Sequence, residues 1–131
     1  RQLRFAILDL AWHSTDPASI NDIDQFEQQV LCKTEMLPHI PGTSVSSSFS
    51  HIFAGGYSAG YYSYKWAEVL DADVFELFME KGVYDREVAW RFKTMILARG
   101  GTEHPMALYE KFRGHRPSLH GLLRRDGFSE K

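Results

Sequence analysis

His51, the pair Gly55-Gly56, and the tyrosines Tyr57, Tyr61 and Tyr64 crowd one short stretch of the chain. A phenol is a neutral hydrogen-bond donor at neutral pH, and one shielded from water seldom lacks a partner. Residues three and four apart share one face of a helix. At about 100° per residue, Tyr61, Tyr64 and Glu68 fall opposite a core stripe of Tyr62, Trp66, Val69, Leu70, Asp73 and Leu77. Tyr57 joins the tyrosine face if the helical path extends one turn back. Two readings are open for that face. Its rings are ordinary half-exposed amphipathic side chains, or they line a cleft or interface and donate to a peptide or a developing oxyanion. A Gly-Gly turn beside them lets backbone approach a ligand closely. His51 stands a few residues before that turn, where a lone histidine is more often structural than catalytic.

Other chemistry finds little support. Six histidines are present, yet none forms H-x-x-x-H, and no Cys/His pairing has zinc spacing. No G-x-S-x-G elbow, phosphate-binding loop or G-x-G-x-x-G occurs. Cys32 lies among Val30, Leu31 and Lys33 and is expected as a half-buried thiol. The cations Lys111, Arg113, Arg116, Arg124 and Arg125, with His115, read as a solvated surface rather than a phosphate site.

The elements that must position these residues are helical almost throughout. Residues 1–13 place Leu3, Ile7, Leu10 and Ala11 on one face, with Phe5, Leu8 and Trp12 widening the stripe. Asn21 or Asp22 caps a second helix to about Met36, with Ile23, Phe26, Val30 and Leu31 inward. A loop over residues 37–57, rich in proline, glycine and serine, carries the Gly-Gly-Tyr element. A long helix from about Ser58 to Glu80 stops at Gly82, and Asp85 caps the next to about Ala98. Pro105 opens a short helix through Phe112, and Ser118 caps a last one closed by Gly127. The spacing predicts an all-α fold.

Composition bounds the class. The chain has 131 residues, 44% hydrophobic and 24% charged, with a formal net charge of -2. That length is one domain's worth and long enough to bury a core. The charge gives no field for nucleic acid or anionic lipid, and no apolar run reaches the ~20 residues of a membrane span. A single cysteine suits a reducing compartment, and the cytoplasm is the expected location. Arg1 opens the chain without Met while residues 3–10 already read as core, so a piece of a larger protein is expected.

The run from His51 through Ala54-Gly55-Gly56-Tyr57 and Gly60-Tyr61-Tyr62-Ser63-Tyr64 to Glu68-Val69-Leu70 resembles the C-terminal signature of the thimet oligopeptidase family of zinc metallopeptidases. Ala98-Arg99-Gly100-Gly101-Thr102 and Phe112-Arg113-Gly114-His115-Arg116-Pro117 are similar to that family's tail. Asp9 and Trp12 fall in a helix similar to the one between its metal site and its tyrosine loop. The wording looks nearest the bacterial peptidyl-dipeptidase and oligopeptidase A type.

The resemblance implies an all-α C-terminal segment of a larger, mostly helical zincin-type peptidase catalytic domain acting on short peptides. Zinc in that family is held by an H-E-x-x-H helix and a later glutamate, none of which this chain carries. No metal is therefore expected on it, and the chain alone is expected to be inactive. By resemblance Tyr64, Tyr57 and His51 stand near the scissile bond as catalytic residues. Gly55, Gly56 and Tyr61 serve substrate binding, the glycines giving the loop mobility. An uncovered cleft face could pair two copies. The alternative is a free-standing, non-catalytic helical module that binds peptides in a tyrosine-lined groove.

Overall fold

In the computed structural model, residues 1–128 are described, and they gather into two compact units, Arg1–Lys65 and the described residues from Trp66 onward. Seven α-helices form, and no strand occurs among the described residues, so the fold is all-α.

In the first unit α1 spans Gln2–Ser14, α2 spans Ile23–Leu31, and a single-turn α3 covers Ser50–Phe53. Asp22 caps α2 through its carboxylate, which accepts from the Gln25 N–H at 2.9 Å. The helix ends at Leu31 and tightens into a 3-10 turn at Cys32–Thr34, short of the expected Met36. There the Thr34 hydroxyl donates to the Leu31 carbonyl, capping an orphan acceptor of the last turn. Cys32 is exposed, not half-buried.

The buried side of α1 is Ala6, Leu8 and Asp9, flanked by Phe5 and Trp12, whereas Leu3, Ile7 and Leu10 face outward. This helix is apolar around most of its girth, so periodicity alone does not decide which side is covered. Ile52, Tyr61 and Phe49 come to the Phe5 side and bury it. Trp12 adds a hydrogen bond from its indole N–H to the Ser46 hydroxyl at 2.9 Å. The expected 37–57 loop has order of its own: a 3-10 turn at Ser46–Ser48, then α3.

The second unit holds most of α4 (Ser63–Lys81), then α5 (Arg86–Met95), α6 (Pro105–Arg113) and α7 (His120–Arg125). Gly82, at φ +112, ends α4 and donates its N–H to the Phe78 carbonyl. Asp85 caps α5 through the Val88 N–H at 2.9 Å, and Gly114 at φ +82 ends α6. The helix α5 gives way to a 3-10 turn at Leu97–Arg99, earlier than the spacing predicts. Leu77, Val88 and Phe112 form one core cluster; Val69, Ala72 and Leu122 form another. Trp66, placed in the stripe by periodicity, is exposed.

The acid that interrupts that stripe is partnered inside through one of its two oxygens, Oδ2, while Oδ1 is buried without a hydrogen-bond partner among the described residues. Asp73 is buried and accepts from the Tyr109 hydroxyl and, at 3.2 Å, from Arg113 Nε. The other cations of the basic cluster also find acids: Lys111 pairs with Glu103, Arg116 with Glu110, Arg124 with Glu76, and Arg125 with Glu68 and Asp71. Among the described residues no helix is long and apolar enough to cross a membrane.

Candidate functional site

The site is built by the backbone between α3 and α4, which is not the helix that periodicity predicts from Ser58. Ala59 adopts φ +54, a left-handed conformation unfavourable for an L-residue with a Cβ. Gly60 donates to the Tyr57 carbonyl at 2.8 Å and Ser63 to that of Gly60 at 3.0 Å, making successive turns. The helix proper starts only at Ser63. That delay changes the phase. Tyr62, assigned to the core stripe, is exposed, and Tyr61, assigned to the outward face, is 8% exposed.

Tyr61 is therefore a core ring. It packs edge-on against Phe5 at 5.8 Å and Phe49 at 5.1 Å between centroids. Above it stand the other three aromatic candidates. Tyr64 lies 5.0 Å from Tyr61, and Tyr57 stacks on Tyr64 at 5.4 Å with planes 17° apart. The His51 ring, carried by α3, sits edge-on to Tyr57 at 5.2 Å and to Tyr64 at 6.4 Å. His51 is exposed, Tyr57 half-buried, and Tyr64 is 36% exposed. The fold thus brings His51, Tyr57 and Tyr64 together with their edges reachable from solvent, over a buried Tyr61.

The two glycines have distinct jobs. A Cβ on Gly55 would lie 2.7 Å from the His51 carbonyl oxygen, so the chain turns tightly against the end of α3 there. Gly56 has open space around it but takes φ +75, where glycine is at ease. The Ser58 hydroxyl then donates to the Ile52 carbonyl at 2.6 Å and fastens the turn back onto α3.

Electrostatics keep the outward phenol protonated. The Tyr64 hydroxyl is held above the ordinary phenol range, first by its hydrogen bond with Tyr57, then by desolvation and by the neighbouring phenols Tyr57 and Tyr61. At neutral pH such a group donates, and a carbonyl oxygen gaining negative charge is the natural acceptor. The rings form an open face and line neither a cavity of about 300 Å³ in the first unit nor one of about 400 Å³ in the second.

Two buried acids that periodicity left without a role hold this region. Both Asp9 oxygens accept backbone N–H groups, from Ala59 at 2.9 Å and Tyr61 at 2.8 Å. Both Glu27 oxygens do the same further back, from Val45 at 2.9 Å and Ser46 at 2.7 Å, with the Ser44 hydroxyl at 3.1 Å. Burial opposes ionisation of Glu27, but the hydrogen bonds from Ser46, Val45 and Ser44 prevail and hold its carboxyl below the ordinary range. The legible signal was an acid set among apolar neighbours, as in Leu8-Asp9-Leu10. Among the described residues no group of three or more His, Cys, Asp or Glu side chains could hold a metal ion.

The model for Peptidase family M3 matches residues 1–128. Organellar oligopeptidase A of Arabidopsis thaliana, chloroplastic and mitochondrial, is 48% identical across 97% of this chain and 17% of its own length. Oligopeptidase A of Haemophilus influenzae is 44% identical across 97% of this chain and 19% of its own. Dipeptidyl carboxypeptidase of Escherichia coli is 40% identical over the same shares, 97% and 19%. The chain spans less than a fifth of the length of these curated relatives.

Proposed function

The chain belongs to peptidase family M3, and from that premise we propose that it supplies the substrate-facing wall of a zinc-dependent peptidase. The substrates are short peptides, and the activity is of the oligopeptidase or peptidyl-dipeptidase kind. The observation that carries this reading is the assembly of His51, Tyr57 and Tyr64 around one outward-facing ring stack.

In this reading Tyr64 donates its hydroxyl hydrogen to the scissile carbonyl oxygen. That bond strengthens as charge grows on the oxygen, which is the condition for lowering a barrier rather than merely binding substrate. Without substrate the Tyr64 hydrogen is directed at Tyr57; the substrate carbonyl takes it over, and Tyr57 then presents its own hydroxyl hydrogen to the same region. His51 contacts the substrate backbone, and Gly55-Gly56 lets the turn come close to it. Tyr61 supports these groups from beneath. Among the described residues no side chains compose a metal site; in this reading the zinc of such an enzyme is held by residues outside this chain. The chain by itself is then inactive. The cytoplasm is the proposed compartment, on the single cysteine.

The test is Tyr64→Phe in the full-length enzyme carrying this chain, assayed on a short peptide. Turnover is expected to fall about tenfold to a thousandfold, the range for losing one oxyanion donor, with KM little moved. Unchanged turnover makes Tyr64 a packing residue and overturns the reading. A companion measurement uses this chain alone with added zinc: neither hydrolysis nor stoichiometric metal after desalting is expected. Tight zinc together with peptide turnover would refute the proposed division of labour.

A further inference from the structure

Asp9 is fully buried on α1, fifty residues before the turn whose amides it binds, and it does not reach the outward face. Its Oδ1 accepts from the Ala59 N–H at 2.9 Å and its Oδ2 from the Tyr61 N–H at 2.8 Å. His13 Nδ1 stands 2.9 Å from Oδ1, one helical turn along α1. A carboxylate gripping two amides this way only accepts, so both must donate toward it. That demand selects the backbone between them. Ala59 is left-handed at φ +54, a conformation a non-glycine residue keeps only when its surroundings over-determine it.

The grip reaches the rings through one residue. Tyr61 leaves the turn pointing inward, and its ring meets both Tyr64, at 5.0 Å, and His51, at 6.0 Å. Tyr57 follows because it stacks on Tyr64. A turn free to continue as helix from Ser58 would carry Tyr61 outward and remove the support beneath Tyr64. We propose that Asp9 is a positioning residue for the Tyr57, Tyr61 and Tyr64 rings: its carboxylate sets the phase at which α4 begins. The purpose of that positioning rests on the substrate-wall reading above; the positioning itself does not.

Asp9→Asn separates the two. The amide keeps the shape and one acceptor but turns an N–H₂ toward one of the two backbone N–H groups, donor against donor. On this chain, amide hydrogen exchange by NMR reads the grip directly. In the unmodified chain the Ala59 and Tyr61 amides are expected to be protected, and in Asp9→Asn at least one loses about tenfold or more of that protection. The Tyr64 phenol should also titrate differently in the variant, while the amides of Val88 and Gly114 in the second unit keep their protection. In the full-length enzyme kcat should fall with KM nearly constant, and Asp9→Glu, which restores the carboxylate, should recover part of it.

Unprotected Ala59 and Tyr61 amides in the unmodified chain overturn the inference, and this holds even if Asp9→Asn fails to fold. So does a folded Asp9→Asn chain whose Tyr61 exchange and Tyr64 titration are unchanged. If the rings shift and kcat does not, the positioning by Asp9 stands and the substrate-wall reading is what fails.

Discussion

Tyr57 and Tyr64 come from different kinds of backbone, a glycine-rich turn and the first turn of α4, yet their rings stack 5.4 Å apart with planes 17° from parallel. Each ring limits where the other can go. The Tyr57 hydroxyl is also the largest influence holding the Tyr64 phenol above its ordinary range, as an acceptor for its hydrogen. The pair is thus a unit whose protonation and geometry are set together.

Replacing Tyr57 by Phe keeps the stack and removes the acceptor. A hydrogen bond donated by the neutral phenol stabilises its protonated form, so losing it lowers the midpoint at which Tyr64 ionises, toward the ordinary value of about 10. Phenolate absorbance during an alkaline titration reads this directly. A midpoint that stays put or rises shows that the bond does not control Tyr64.

Gly55→Ala puts a methyl group 2.7 Å from the His51 carbonyl oxygen, a backbone atom that cannot swing aside. The turn must move. We expect about 1–3 kcal/mol of lost stability, the usual range for overpacking, together with a displaced His51 ring. Thermal melts give the first, and the His51 Cε1–H chemical shift gives the second. Full tolerance would mean the turn has slack that its close approach to α3 denies.

Glu27 sets an acid-side dependence. Its folded value is below that of an ordinary carboxylate, so its contribution is present above the unfolded value of about 4.3. It is lost as pH falls through the folded value. Glu27→Gln should cost about 1–3 kcal/mol at pH 7 and progressively less as the pH drops below 4. Parallel denaturant melts of both proteins across that range make the comparison. Curves that run parallel at every pH would deny Glu27 this role.

Tyr109 has the opposite sign. Burial first, and then the hydrogen bond to Asp73, push its phenol well above the ordinary range. Its contribution is full below the unfolded value of about 10 and is lost as pH climbs from there toward the folded value. Tyr109→Phe should cost about 1–2 kcal/mol at neutral pH and flatten the alkaline decline. Asp73→Ala should be worse, about 3–5 kcal/mol, because it strands the buried Arg113 guanidinium. Equal costs for the two variants would mean that Arg113 gains nothing from its partner.

Much of the helical frame was legible in the chain because its signals are local. A carboxylate at Asp22 or Asp85 reaches an N–H three residues on without help from elsewhere. Gly82 and Gly114 end helices for a reason contained in their own dihedral angles. The grouping of Tyr57, Tyr64 and His51 was legible from the family resemblance; spacing alone tied Tyr57 to Tyr64 only through a helical turn that does not form, and left His51 a lone histidine.

The amino-acid sequence by itself determined the helical class, the caps, the stops and the concentration of phenols near Gly55-Gly56. Tertiary structure decided which side of α1 is covered, where α4 begins, and that Tyr61 turns inward while Tyr62 turns out. The reason lies in range. A cap spans three residues, but the hydrogen bonds from Ala59 and Tyr61 to Asp9 span about fifty, and a local periodicity carries no record of an acceptor that far away. On a helix apolar around most of its girth, the buried side is chosen by whichever rings arrive from elsewhere in the chain.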